Sequence, residues 1–242
     1  MKTKKPFLSI IVPIYNEEKR LARGITQILK FIDKQSFPVE LIVVNDGSTD
    51  ATNKLLKNLK HASLQLIYYE KNQGKGYAVQ KGMQNAKGVW RLFMDIDLST
   101  PIEEFHKFLP HFKNFDVVIG SRRTKDSKVL VHQAFLREWL GSVFTWLSST
   151  FLGVGISDFT CGFKCFSKDA ASKLFSLQRL DGWGFDSEIM FLAQKEGFLI
   201  KEVPVTWSND SQTRVTLIKD VYRSLIDLIK IRVNDVLGKY SK

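Results

Sequence analysis

Residues 89–97 read Val89-Trp90-Arg91-Leu92-Phe93-Met94-Asp95-Ile96-Asp97, an apolar run that ends in two carboxylates one residue apart. Strand periodicity puts Asp95 and Asp97 on the same side of an extended backbone, at the end where a parallel strand opens into a loop. Two acids there make a hard, anionic oxygen site. Such a site suits Mg²⁺ or Mn²⁺, ions that keep waters and take further ligands from a phosphorylated substrate. The competing reading is a helix cap: a helix beginning near Pro101 has Ser99 or Thr100 as rival N-caps and Glu103 and Glu104 in its first turn. Asp-x-Asp alone is common, so the choice between the two rests on what the rest of the chain brings to the same place.

Working outward, the same alternation recurs. Residues 7–14 are a continuous apolar, β-branched run, the pattern of a strand buried on both faces, and Pro13 marks the end of its ladder. Leu21, Ile25, Ile28, Leu29 and Ile32 then fall at helical spacing. Residues 39–44 give a second buried strand, which ends in the turn chemistry of Asn45-Asp46-Gly47-Ser48-Thr49-Asp50. A third strand over 64–69 is followed by Asn72-Gln73-Gly74-Lys75-Gly76 and a helix over 77–86, and a fifth strand over 115–119 closes at Gly120-Ser121-Arg122-Arg123. Strands alternating with helices at this spacing predict an α/β fold with a mostly parallel, doubly wound, Rossmann-like sheet flanked by helices, with right-handed crossovers. Ligands bind such sheets beyond the carboxyl ends of the strands. Five strand ends therefore deliver polar or glycine-rich chemistry to one edge. No Gly-x-Gly-x-x-Gly follows the first strand, so this is not a dinucleotide fingerprint, and it is not a P-loop.

Composition narrows the partners. The 242 residues, 44% hydrophobic and 25% charged, are those of a globular chain with one large core, and the expected division is a domain over 1–215 with an appended helix over 216–242. A net charge of +11 implies an anionic partner: nucleic acid, an anionic membrane surface or phosphorylated substrates. Cys161 and Cys165 have the wrong spacing for a zinc knuckle and are too few for a disulfide scaffold, so they read as small buried residues in a reducing compartment. The basic start Met1-Lys2-Thr3-Lys4-Lys5 leads into an apolar run broken by Pro13 and Asn16-Glu17-Glu18, which argues against an export signal. No uncharged apolar run approaches the ~20 residues of a spanning helix. His61, His106, His111 and His132 lie in no motif and read as surface residues.

Taken together, Pro13-Ile14-Tyr15-Asn16-Glu17, the Asp46-Gly47-Ser48 loop, Asn72-x-Gly74-x-Gly76 and Asp95-x-Asp97 resemble the ordered motifs of the family 2 inverting glycosyltransferases of GT-A fold. The resemblance implies that Pro13, Tyr15 and Asp46 hold the nucleotide base. Glu17 falls near the ribose, and Gly74, Lys75 and Gly76 complete the nucleotide-sugar site. Asp95 lies toward the sugar diphosphate, and Asp97 ligates Mg²⁺ or Mn²⁺. Asn45 stands where the family often has Asp, so no ligand role passes to it. In the second half, Gly120-Ser121-Arg122, Arg137, Asp158-Phe159-Thr160-Cys161-Gly162-Phe163-Lys164 and Gly184-Phe185-Asp186-x-Glu188 resemble the dolichyl- or polyprenyl-phosphate hexosyltransferases. By that resemblance Arg122, Arg137 and Arg214 bind the acceptor phosphate, as forked guanidinium groups do well, and Asp158 orients the acceptor.

Two further stretches fit a membrane surface. Residues 139–147 are helical and apolar on more than one face, with Trp139 and Trp146 preceded by Lys125, Lys128 and Arg137; residues 217–237 form a basic amphipathic helix. Packing on the core is the rival reading for both. The expected activity is transfer of a hexose from UDP-glucose, or alternatively GDP-mannose, to a polyprenyl phosphate by a cytoplasmic, peripherally bound enzyme, alone or with a membrane-anchored partner subunit. A basic nucleic-acid-binding protein is the competing class, but basic residues spread along the chain without a nucleic-acid motif weigh against it. An idle subunit is disfavoured by retention of both acids.

Overall fold

The computed structural model describes residues 5–210 and 217–241. In chain order the first half is β1 (Leu8–Ile14), α1 (Leu21–Asp33), β2 (Val39–Asp46), α2 (Thr52–Lys57), β3 (Leu64–Tyr69), α3 (Lys75–Asn85) and β4 (Trp90–Met94). Then come two short 3₁₀ segments, β5 (Val117–Ser121), β6 (Lys128–Val131), α4 (Phe135–Leu152), β7 (Phe163–Ser167), α5 (Lys168–Leu177), α6 (Phe185–Lys195), β8 (Ile200–Pro204), β9 (Thr206–Ser208) and α7 (Leu217–Val236).

Seven strands form one sheet in the order β3-β2-β1-β4-β7-β5-β8, and β6 pairs with β9 in a small second sheet. The pleat sends alternate side chains to opposite faces, and each face has its own helical cover. Ile11, Ile42, Phe93 and Ile119 face the layer that holds α3, α5 and α6, whereas Ile10, Leu41, Leu92 and Val118 face α1 and the 3₁₀ segment Ile102–Lys107. Each of these side chains is essentially inaccessible to water, a burial that stabilises by about 2 kcal/mol per side chain.

Three features of the structure refine the sequence reading. The sheet is mostly parallel, as expected, and the departure is β7, inserted antiparallel between β4 and β5, with Met94 opposite Phe163 and Trp90 opposite Ser167. This inversion matters for the site: the start of β7 lies at the edge where the parallel strands end, so residues 158–162 arrive beside Asp95. Second, β4 stops at Met94. Asp95 and Asp97 sit on a turn, with Leu98 at φ +56° and its N–H directed at the Asp95 carbonyl, and not on an extended strand. Third, the segment after Pro101 is 3₁₀ with no side-chain cap, and Asp97 instead accepts the Ser99 N–H at 2.9 Å in a local turn.

The terminal helix α7 docks on α4 and α6. Leu228, Ile231 and Tyr240 enter the core, and the Tyr240 hydroxyl donates to the buried Glu188 at 2.6 Å, which also accepts the N–H groups of Arg179 and Leu180. Tyr222, Ile229, Val233 and Val236 remain exposed on α7, as do Phe135, Leu136, Trp139 and Trp146 on α4. Each helix thus packs on the core along one side and leaves apolar side chains exposed along another. The expected boundary at residue 215 lies outside the described residues. Among the described residues no helix is long and apolar enough to cross a membrane.

Candidate active site

The first two strand ends are laced together by short polar side chains. Asn16, at φ +53° just past β1, receives the Thr49 N–H on its side-chain oxygen at 2.7 Å and donates its own N–H to the Ser48 hydroxyl at 2.8 Å. The Glu17 N–H donates to Thr52 Oγ1 at 2.8 Å. Asn45, given no ligand role from sequence, holds Ser48 through its side-chain oxygen and Asn53 through its amide nitrogen. Pro13 is the penultimate residue of β1, Tyr15 lies exposed beyond the strand, and the Glu17 carboxylate grips Arg20 with both oxygens, at 2.7 and 2.9 Å.

Asp46 ties in the third loop. Its buried carboxylate accepts from the Asn72 amide, the Gln73 N–H and the Gly74 N–H at 2.7–2.9 Å. Gly74 at φ +111° turns the chain into α3, with the Asp181 carbonyl where a Cβ would stand. That turn aims Lys75 at the acid pair, whereas Gly76 is buried within α3.

Lys75 Nζ lies 2.7 Å from Asp95 Oδ1. Burial works against the ammonium, but the Asp95 charge overrides it and raises its pKa. On the other flank Gly162 leaves the space that Asp95 Oδ2 fills; any side chain there would collide with it. Burial, and then the Asp95 charge, push the Asp97 carboxyl up. A pair of hard oxygens strained in this way is one that a divalent cation relieves, so the donor chemistry fits Mg²⁺ or Mn²⁺. Among the described residues no group of three acids, histidines or cysteines forms a closed cage, so further ligands would come from water and a diphosphate.

Beside the acids opens a cavity of about 450 Å³. Lys75, Asp95, Arg122 and Asp186 give it a polar lining, and Val129, Leu140, Phe144 and Trp207 add apolar surface, the Trp207 ring 5.3 Å from the Arg122 guanidinium. Asp158 is fully buried and takes the Arg122 guanidinium as a fork, Nε at 2.8 Å on one oxygen and a terminal nitrogen at 2.7 Å on the other. Burial would raise the Asp158 carboxyl, but Arg122 overrides it and holds the group at about 2. Asp158, expected from sequence to orient the acceptor, is inaccessible and positions the Arg122 guanidinium. The Arg137 side chain and all of Arg214 lie outside the described residues, so neither is placed in the cavity.

Four cavity neighbours escaped the residue-by-residue reading. Asp186 is buried against Lys164, whose ammonium it accepts at 2.5 Å, and Trp183 packs its ring under Lys75. Arg123 and His132 reach the wall from just past β5 and just past β6, with His132 against Glu138. Asp186 had a signal as the acid of the Gly184–Glu188 stretch, and Arg123 as part of the polar strand end at Gly120–Arg123. Cys161 and Cys165 are free and buried, and burial pushes the Cys161 thiol up to about 12.

A mostly parallel sheet with two carboxylates on the turn after its fourth strand, and a cavity beside them, defines a glycosyltransferase of GT-A fold. The model of "Glycosyl transferase family 2" matches residues 9–175, and the chain belongs to that family. It is 32% identical over 247 residues to a dolichyl-phosphate beta-glucosyltransferase of Dictyostelium discoideum, covering 96% of this chain and 76% of the relative. It is 30% identical over 255 residues to the Saccharomyces cerevisiae protein of the same name, covering 97% and 76%. Among solved structures, mannosyl-3-phosphoglycerate synthase from Rubrobacter xylanophilus superposes with a TM-score of 0.70 at 18% identity, over 98% of this chain and 76% of that one. Glucosyl-3-phosphoglycerate synthase from Mycobacterium tuberculosis, in complex with Mn²⁺ and UDP-glucose, gives 0.68 at 20% identity over 93% and 79%. These structural likenesses show the fold.

Proposed function

We propose that this enzyme transfers glucose from UDP-glucose to a dolichyl or polyprenyl phosphate, with inversion at the anomeric carbon, at the cytosolic face of a membrane. The observation that carries the reading is the cavity itself: Asp95 of the acid pair, Arg122 and Arg123 share its wall with the apolar Val129, Leu140, Phe144 and Trp207. The names of the curated relatives supply the acceptor and the sugar.

In this reading Pro13, Tyr15, Glu17 and the loop braced by Asp46 seat the nucleotide. Asp97 and Asp95 hold Mg²⁺ or Mn²⁺, which when bound supplies positive charge against the departing diphosphate. The Mn²⁺ in the crystals of the mycobacterial neighbour supports the choice of a divalent ion. Lys75 adds a second cation on the same side. Arg122, held rigid by Asp158, presents positive charge to the acceptor. A phosphate monoester is already anionic near neutral pH, so its oxygen attacks without a dedicated base. The exposed Phe135, Leu136, Trp139 and Trp146 of α4 rest in the headgroup zone and bring the cavity to the lipid, peripherally or beside a membrane-anchored partner subunit.

The test offers the purified protein polyprenyl phosphate with a panel of nucleotide sugars and Mg²⁺ or Mn²⁺. Glucose from UDP-glucose should become lipid-extractable. Mannose from GDP-mannose in its place would change the donor, and no transfer from any donor would remove the lipid acceptor.

A further inference from the structure

Among the described lysines only Lys164 is buried, 1% exposed on β7. Its ammonium donates to the Cys161 carbonyl at 2.7 Å and to Asp186 Oδ1 at 2.5 Å, with the Phe93 ring centre 5.4 Å away. A buried ammonium is costly unless it is paired, so this contact ties two segments together. One is the turn before β7, where Gly162 meets Asp95; the other is the first turn of α6, which carries Asp186. The buried lysine thus fixes where Asp186 stands relative to the acid pair.

Asp186 uses one oxygen for that contact. Oδ2 accepts from no described donor, and the residue, 5% exposed, lines the cavity. Lys75, Arg122 and Asp95 act on Asp186 through their charges without bonding it, since Lys75 is held by Asp95 and Arg122 by Asp158. Burial pushes the Asp186 carboxyl up, and Lys164 and Lys75 oppose the shift. Among the described residues it forms no three-acid cage with Asp95 and Asp97.

A buried acceptor oxygen on a cavity wall, without a protein donor, is satisfied by an incoming donor. Three cations already surround this carboxylate, and it repels anions, so the fitting donor is a neutral hydroxyl. The transferred sugar brings one: it is bonded to the diphosphate that the proposed reading seats at Asp95 and Asp97, which places its hydroxyls beside Asp186. Trp183 lines the same cavity three residues earlier, 48% exposed and with its ring centre 5.0 Å from Lys75 Nζ. An aromatic surface next to a placed polar group suits the C–H face of a hexose.

We infer that Asp186, oriented by Lys164, accepts a hydroxyl of the transferred hexose through Oδ2, with the Trp183 ring against the sugar's C–H face, and so selects the sugar. This role rests on the proposed donor site and takes nothing from the acceptor.

Calorimetric titration of the full chain in Mn²⁺, with UDP-glucose and in a second arm with UDP, tests it. Asp186→Asn should weaken UDP-glucose by about tenfold, the scale of a hydrogen bond to a charged group, and leave UDP within about twofold. That substitution strands the Lys164 charge. If it does not fold, the double variant Lys164→Met with Asp186→Leu removes both charges together and carries the comparison. Trp183→Ala, at an exposed position, should weaken UDP-glucose by about threefold and spare UDP. UDP-glucose analogues that each lack one hydroxyl identify the contact: one of them should lose about tenfold on the wild type and nothing further on the Asp186 variant. UDP-glucose affinity unchanged in the Asp186 variants, equal losses of UDP and UDP-glucose, or hydroxyl penalties the same in variant and wild type overturn the role. A wild type that binds GDP-mannose and not UDP-glucose removes the proposed donor instead, and the same comparison of GDP-mannose with GDP then decides the role of Asp186.

Discussion

The proposed donor and acceptor sides of the cavity each set a carboxylate against a cation, and they do so in contrasting ways. On the donor side Asp95 is 36% exposed and meets a single ammonium, Lys75, at the end of a flexible stem. On the acceptor side Asp158 is 0% exposed and is gripped through both oxygens by a planar guanidinium. Part-exposed single-point pairs contribute about 1 kcal/mol or less, and their partners exchange readily. Breaking a buried forked pair costs about 3 kcal/mol or more, because the surviving charge is stranded. In the proposed reading the Lys75–Asp95 pair is therefore placed to change partners when a diphosphate and its cation arrive, whereas the Arg122–Asp158 pair is a fixture of the fold.

Three measurements would break or sharpen this contrast. The largest effect is expected at Asp97, where Asp97→Ala should reduce sugar transfer by about a thousandfold while the circular dichroism spectrum stays native. Full activity in that variant ends the metal role of the acid pair.

Asp158→Ala should act on stability instead. Stranding Arg122 should cost about 3 kcal/mol and lower Tm by about 10 °C. The same pair sets an acid limit. The Asp158 carboxyl is held at about 2 against its usual 3.8, a depressed pKa whose stabilisation is complete above the usual value. That contribution, about 2 kcal/mol, is lost as pH falls from about 3.8 through about 2. An Asp158→Ala protein as stable as the wild type at pH 7 would show that the fork is not a fixture.

Lys75→Met should have the smallest effect and the opposite sign on cation binding. With the ammonium gone, Mn²⁺ affinity without nucleotide should rise about fivefold, followed by electron paramagnetic resonance of free Mn²⁺. Weaker Mn²⁺ binding would mean that Lys75 helps to build the cation site and does not compete for it.

Much of this was legible in the chain. The α/β class, the first four strands, and the edge that gathers Asp46, Gly74 and Asp95 follow from local patterns, because a buried parallel strand and a polar strand end each leave a contiguous signature. The acceptor half was less legible. Residues 163–167 and 200–204 carry short strands with no distinct period, and nothing in the β7 sequence states that it runs antiparallel, since direction is set by which neighbours it pairs with. The pairing of Arg122 with Asp158 spans 36 residues, and the contact between Gly162 and Asp95 joins two separate strand ends.

Residues 89–97 show where the division falls. Sequence alone placed two hard acids at the end of a buried strand and surrounded them with the motifs of a glycosyltransferase, since composition and order are properties of the chain. Tertiary structure decided that the acids sit on a turn, that a lysine from another strand end occupies one of them, and that the inverted β7 sets Gly162 against Asp95. It also decided which of two adjacent arginines a buried carboxylate grips, Arg122 on Asp158 while Arg123 turns to the Ser142 hydroxyl, because pairing arises only when distant segments meet.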